Sequence, residues 1–372
     1  MLIDRRYDID WLRVIAIGLL LIYHIAIGFQ PWGVFIGFIQ NNEALEGIWA
    51  PMSMLNVWRI PLLFFVSGMG VYFAIQRRSW KALLLERTKR ILLPFIFGIL
   101  VIVPLHIYLW QSYYNQDLSY MVNPAHLWFL ANIFIYVPIF TPLFFYLKSR
   151  QQGEIYAAFH RLMGNPIALL VLMIPFIAEA KIVQPENFEL YAMTPHGFWI
   201  GMVAFLTGFF CVYFGTSFWH NVSRCRWSFL VVAFALYILR MQQVTVDLSA
   251  YLIPVESNLW IYAIFGFGYK YLNRPSKALA YLSSAAYPIY IIHMFFLYLA
   301  SWLFFPLGIH PVVKLIAVIV FTFAGCFLSY EFLIRRIVWV RPLFGLKAKT
   351  AKVKIAIATN EELETPLPEK LL

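Results

Sequence analysis

The chain alternates between long apolar runs and short polar connections, and the runs have the length of membrane-crossing helices. A helix needs about 20 predominantly apolar residues to cross the hydrocarbon core of a bilayer. Ten runs approach that length: Trp11–Phe29, Val57–Ile75, Ile91–Trp110, Leu127–Leu147, Ile167–Ile182, His196–Phe214, Ser228–Met241, Ala250–Leu272, Leu282–Phe305 and Val312–Ile334. Glu179 and Arg240 cut into the fifth and seventh, which should be the shortest. The pattern predicts an all-α integral membrane protein, a bundle of about ten transmembrane helices formed by residues 1–346. Residues 347–372 turn polar and acidic (Glu361, Glu362, Glu364, with Pro366 and Pro368) and read as a cytoplasmic, disordered tail. No internal repeat of the inverted-topology kind stands out.

Composition excludes the soluble alternatives. The chain is 62% hydrophobic and 13% charged, more apolar surface than a soluble protein of this length can hide. The net charge of +11 does not imply nucleic acid, because the basic residues fall in clusters between apolar runs. Arg5 and Arg6 precede the first run; Arg77, Arg78, Lys81, Arg87, Lys89 and Arg90 follow the second; Lys148, Arg150 and Arg161 follow the fourth. Arg224 and Arg226 follow the sixth, Lys270, Arg274 and Lys277 the eighth, and Arg335, Arg336, Arg341, Lys347 and Lys349 the tenth. The alternate connections hold mainly Glu43, Glu46, Asp117, Glu186, Glu189, Asp247 and Glu256, with Lys181 as the exception. The positive-inside rule then puts both termini in the cytoplasm and supports an even number of spans; the expected location is multi-pass in the cell (inner) membrane. The first run lacks the cleavage site of a signal peptide. Cys211, Cys225 and Cys326 are scattered and suggest neither a disulfide framework nor a metal site.

Candidate chemistry begins in the first run. Arg13 and His24 are eleven residues apart, three helical turns plus about 20°, so they share a face roughly 16 Å apart along the axis. Such residues are costly in lipid and usually face a protein interior or an aqueous cavity. Asp10, three residues before Arg13, can hold the guanidinium in place. His24 is the one group on this helix able to move a proton near neutral pH. Interfacial anchors and a hydrogen-bonded core histidine would present the same residues. In Phe64-Phe65-Val66-Ser67-Gly68-Met69-Gly70, the small residues can serve close helix packing alone. Arg87 and Arg90, three apart, can grip a phosphate in bidentate fashion or belong to a solvated orienting cluster. His126 opens the fourth helix in His126-Leu127-Trp128-Phe129-Leu130, and His293 closes Tyr287-Pro288-Ile289-Tyr290-Ile291-Ile292-His293. A histidine at membrane depth needs a partner. Glu331 stands four residues before Arg335 and can simply pair with it. His106, His160, His196, His220 and His310 read as loop or helix-end residues without a role. No phosphate-binding loop, dinucleotide fingerprint, zinc spacing or Ser-His-Asp motif is present.

Taken together, these motifs resemble the membrane acyltransferase 3 family, from Asp10 to about Gly345. The carriers are Asp10-Trp11-Leu12-Arg13 with His24, Phe64-Phe65-Val66-Ser67-Gly68, Arg87-Thr88-Lys89-Arg90, His126-Leu127-Trp128-Phe129-Leu130, the Tyr287–His293 stretch, and Tyr330-Glu331 with Arg341-Pro342-Leu343. The segment around the second helix is also similar to the branch that succinylates periplasmic glucans. The resemblance implies an O-acyltransferase that takes an acyl group, usually acetyl and in that branch succinyl, from cytoplasmic acyl-CoA, with acetyl-CoA as the expected donor. The acceptor would be a hydroxyl of a carbohydrate, glycolipid or other cell-envelope molecule, with no metal and no nucleic acid. The resemblance implies catalytic roles for His24, Arg13 and Asp10, with His24 as general base or nucleophile. Arg87, Arg90 and Ser67 would bind the donor; His126, Trp128, His293 and Glu331 would meet the substrate. A passage past Arg13 and His24 would join the two faces. Membrane lipid is the expected surrounding, and no oligomeric state is specified. The competing reading is a proton-coupled secondary transporter using Arg13, His24 and Glu331. The absent repeats and the cytoplasmic arginine pair argue against it.

Overall fold

The computed structural model describes residues 5–151, 153–243 and 249–348. The expected tail from Lys352 onward, Lys349 and Asp247 lie outside the described residues. Among those described there is no strand. The chain is an all-helical membrane bundle, as the apolar runs predict. Among the described residues fourteen α-helices follow in order: α1 (Tyr7–Ile27), α2 (Trp49–Gln76), α3 (Trp80–Arg87), α4 (Leu93–Phe97), α5 (Val103–Tyr113), α6 (Trp128–Ser149) and α7 (Glu154–Leu162). After these come α8 (Ala168–Val171), α9 (Ile174–Val183), α10 (Pro195–Tyr213), α11 (Thr216–Met241), α12 (Ser249–Tyr271), α13 (Lys277–Phe304) and α14 (Pro311–Ser329).

Eight helical stretches among the described residues are long and apolar enough to cross a membrane. Two of the ten expected runs fall outside that set. The fifth is broken into α8 and α9 at Leu172–Met173, just before Pro175. The eighth is the 23-residue α12, whose Glu256, Ser257 and Asn258 are buried against protein, so its sequence is too polar to qualify. The seventh, expected to be short, is the 26-residue α11. Arg240 does not end it because Glu189 and Glu256 satisfy the guanidinium at 2.7 and 2.8 Å.

Long hydrogen bonds sort the helix ends into two groups. At one end the Tyr7 N–H donates to Asn273 Oδ1, Lys148 Nζ to the Ile75 carbonyl and Tyr213 to the Leu147 carbonyl. At the other, Tyr237 donates to the Ala50 carbonyl and Tyr298 to the Gly37 carbonyl. The first end carries the basic clusters and is called the arginine end below. Lipid-type surface lies on the flanks: Val313, Ile316 and Val320 of α14 are 51, 57 and 61% exposed.

Two packing details position the site. α2 and α10 meet backbone to backbone: a Cβ on Gly68 would collide with the Phe205 carbonyl, and one on Gly208 with that of Phe65. The stretch from Trp80 to Tyr113 is continuous but holds two wide π turns, Thr88–Leu92 and Gly98–Ile102. Pro94 and Pro104 cannot donate to the carbonyls of Arg90 and Leu100, which widens the turns. Tyr120 takes up the released Leu100 carbonyl at 2.8 Å. The first wide turn follows Arg87 and contains Lys89 and Arg90.

Candidate active site

A cavity of about 630 Å³ enters the bundle from the arginine end. Seven arginines line it (Arg5, Arg6, Arg13, Arg77, Arg78, Arg87 and Arg90) against two carboxylates, Asp10 and Glu86. The acids are shared. Asp10 accepts from Arg5 at 3.0 Å and lies 3.6 Å from Arg13, so Arg5 grips it more tightly than Arg13 does. Glu86 is 3.0 Å from Arg90 and 3.7 Å from Arg87 and Arg78. Arg13 and Arg87 converge on Gly70: Arg87 Nη2 donates to its carbonyl at 3.5 Å, and a Cβ there would sit 4.0 Å from Arg13 Nη2, an ordinary contact. Arg87 Nε is buried without an acceptor. The outcome is a polar recess with cationic surplus, suited to a polyanion.

Deeper in, the wall becomes apolar and aromatic: Ile17, Leu63, Phe129, Leu130 and Tyr290. Ser67 lines the cavity and donates to the Leu63 carbonyl at 2.8 Å, so it adds no free donor there. Tyr290 closes this level. Its hydroxyl donates to the His126 carbonyl, and its own carbonyl faces His293 Nδ1 at 2.6 Å.

Behind Tyr290 four histidines meet: His24 of α1, His293 of α13, His126 at the head of α6 and His106 of α5. His24 Nδ1 lies 2.9 Å from His293 Nε2. The protons in the uncharged pair follow from the acceptor at its end. A carbonyl can only accept, so His293 carries its proton on Nδ1 and presents a lone pair at Nε2. His24 Nδ1–H donates to that lone pair, leaving His24 Nε2 as a free base. His126 Nε2 donates to the Ile291 carbonyl at 3.1 Å, and its Nδ1 has no partner. No cluster of three or more histidines, cysteines and carboxylates with metal-binding geometry occurs among the described residues.

Residues 6–331 match a family model described as an acyltransferase domain, Acyl_transf_3. The chain belongs to this family. It is a membrane acyltransferase. No curated protein and no solved structure matches the chain.

In this acyltransferase, Asp10, Arg13, Ser67, Arg87 and Arg90 share one cavity, while His24, His126 and His293 form a separate layer beneath it. The expected passage joining the two faces is therefore interrupted: His24 is not part of the cavity wall, and Tyr290 stands between. Beyond His24, Phe38 and Tyr23 pack against the histidine from the opposite end, and Trp49 packs on Tyr23.

Two expected site residues lie elsewhere. Trp128 packs on Phe64 outside the cavity, and its neighbour Phe129 supplies the wall. Glu331 pairs with Arg335 at 2.8 Å and Arg336 at 3.7 Å on the outside of the bundle. A helical i,i+4 pair at the interface needs no substrate to explain it.

Sequence reasoning missed two groups. His106 was expected to be a helix-end residue; it is 3% exposed, and its ring centroid is 5.7 Å from that of His126. The rule that singles out His24, a histidine well inside an apolar run, applies equally to His106. Arg59 is 2% exposed inside the second apolar run, where a charged side chain is as informative as Arg13. The remaining expected loop histidines are structural where partners are present: His196 lies 2.9 Å from Glu179, and His310 caps α14.

Proposed function

We propose that the enzyme transfers an acetyl group from acetyl-CoA, bound at the arginine end, to a carbohydrate hydroxyl arriving from the opposite face, with His24 Nε2 as general base. The observation that carries this reading is the cavity itself. A recess with seven arginines and two acids leads to a wall directly in front of a histidine pair. Coenzyme A is a polyanion on a long neutral arm, and charge and depth both suit it. Arg87 and Arg90 would hold phosphates at the mouth, where the guanidinium fork fits two oxygens. Arg13 would steady the arm; three turns separate it from His24. The positive-inside rule assigns the arginine end to the cytoplasm.

For chemistry the Tyr290 side chain must turn aside, which brings the thioester to His24. His24 Nε2 accepts the proton of the acceptor hydroxyl as the oxygen attacks the thioester carbon. The carbon–sulfur bond breaks, and the departing thiolate takes the proton back from His24. His293 stays neutral throughout. Its lone pair accepts from His24 Nδ1–H and so stabilises the transient imidazolium, while the Tyr290 carbonyl fixes the His293 tautomer. The acceptor would reach the same atoms after the Phe38–Tyr23–Trp49 cover opens.

Sealed vesicles test the reading. With radiolabelled acetyl-CoA at the arginine face and an oligosaccharide acceptor only at the other, label should appear on the acceptor. Labelling only when both substrates share the arginine face would overturn the vectorial reading, and absence of transfer from acetyl-CoA under any arrangement would overturn the assignment of the donor.

A further inference from the structure

Arg59 of α2 is buried, stacked and largely without acceptors. Its guanidinium lies over the Tyr23 ring, 3.6 Å from the centroid, and Tyr23 directly precedes His24. Nη2 donates to Asn56 Oδ1 at 3.3 Å, while Nε and Nη1 are buried with no partner. Three N–H bonds of a cation are therefore left unused in a protein interior, an arrangement that is normally costly. The carboxylates close by are committed elsewhere. Glu189 gives one oxygen to Arg240 at 2.7 Å and the other to Asn56 at 3.1 Å. Glu256 receives Arg240 through both oxygens, at 2.8 and 3.1 Å. Tyr191, the other polar side chain beside this group, donates its hydroxyl to the Val57 carbonyl at 3.0 Å. No carboxylate lies within 4.0 Å of Arg59 among the described residues.

We propose that Arg59 is a carboxylate subsite one aromatic ring away from His24, which receives the acid group of a ligand bound for transfer. A guanidinium with a free fork matches a carboxylate in shape and charge, and burial strengthens the pair. A four-carbon dicarboxylic acyl chain covers about the width of that ring, so a thioester at His24 would bring its far carboxylate to Arg59. A uronic acid on the acceptor would present the same chemistry from the other substrate. Arg13 cannot serve here, because it stands roughly 16 Å along α1 from His24. Asn56, itself held by Glu189, anchors Nη2 of Arg59, which leaves Nε and Nη1 for one planar anion.

The kinetic arm of the test rests on transfer at His24; the binding arm does not. In detergent, millimolar succinate or glucuronate should raise the melting temperature of the wild type, while neutral succinamide and glucose should not. Stabilisation by succinate assigns the carboxylate to the acyl group, and stabilisation by glucuronate assigns it to the acceptor. Arg59→Met should abolish the effect, and Arg59→Lys, which keeps the charge but not the fork, should retain part of it. In turnover, Arg59→Met should lose roughly 10- to 100-fold more rate with the carboxylate-bearing partner (succinyl-CoA against acetyl-CoA, or uronate against neutral sugar) than with its neutral counterpart. Three outcomes overturn the proposal: no carboxylate stabilises the wild type, stabilisation survives in a folded Arg59→Met, or the variant loses rate equally with charged and neutral partners. Should Arg59→Met fail to fold, Arg59→Lys decides alone: succinate or glucuronate stabilisation equal to that of the wild type overturns the proposal.

Discussion

Arginines gather at both ends of the bundle, and the two groups are neutralised in different ways. At the arginine end, seven arginines line an open cavity; five of them (Arg5, Arg13, Arg78, Arg87 and Arg90) share Asp10 and Glu86, while Arg6 is held by Asp8. At the opposite end, Arg240 is held by Glu189 and Glu256, with Ser53 contributing its carbonyl at 3.1 Å, and the cavity does not reach the group, whose Arg240 and Glu189 side chains are 16 and 17% exposed and whose Glu256 is buried. A surplus of charge around a cavity raises the local concentration of anions. A balanced and largely buried network instead fixes helices to one another, here α2, α11, α12 and the segment before α10. The lesson is that arginine count near a membrane says little; the ratio of acids and access to water decide between binding and bracing. Arg59 lies beside the balanced network yet retains free donors, which is why it stands apart from Arg240.

The comparison can be broken by substitution. The largest effect is expected at the layer that the arginine cavity feeds. His24→Ala should lower acyl transfer by ~10² to 10⁴ while the protein still inserts and elutes as the wild type does. Turnover of the purified variant within a few-fold of wild type would remove His24 from the chemistry. Next, the double variant Arg87→Ala with Arg90→Ala should weaken acetyl-CoA binding roughly ten-fold or more, with lysine at both positions only partly restoring it. Equilibrium binding of labelled acetyl-CoA measures this, and unchanged affinity would place the nucleotide elsewhere.

At the braced end the effect should fall on stability. Arg240→Ala leaves Glu189 and Glu256 without their cation in a largely dry setting, a loss of about 3–5 kcal/mol. Thermal unfolding in detergent should show a lower midpoint, with acetyl-CoA affinity of the remaining folded protein unchanged. A lost affinity without lost stability would erase the distinction between the two ends. The smallest effect is expected from Glu331→Gln. The pair with Arg335 is surface-exposed, and such pairs contribute little. Turnover should stay within about two-fold of wild type, the measure being a steady-state assay; a large loss would return Glu331 to the site.

Much of this organisation is legible in the chain before any coordinates. Apolar run length located the first four helices, the sixth, and the last two, because burial in lipid imposes one length scale on all of them. It also located α12 to within a residue at each end, although Glu256, Ser257 and Asn258 are buried against protein, and it missed the break between α8 and α9 near Pro175. The helical repeat placed Arg13 and His24 on one face of α1, but periodicity within one helix cannot say that Tyr290 of α13 would separate their levels. That separation is a tertiary fact. His106 and Arg59 were visible to the rule that polar groups at membrane depth carry meaning; helix-end assignment hid the first, and attention to motifs hid the second. The reading of Glu331 offered two partners, and a residue four positions away prevailed, as local pairs do when geometry already suits them.

The claim that the arginine end binds a polyanionic donor is tested most directly by the salt dependence of acetyl-CoA affinity. Contacts made by partly exposed charges weaken as added salt shortens the Debye length from about 10 Å at 0.1 M to about 3 Å at 1 M. The affinity of the wild type should fall steeply over that range, that of the Arg87/Arg90 double variant should start lower and fall less, and Arg240→Ala should follow the wild type. Affinity independent of salt, or a slope the double variant leaves unchanged, would contradict the account.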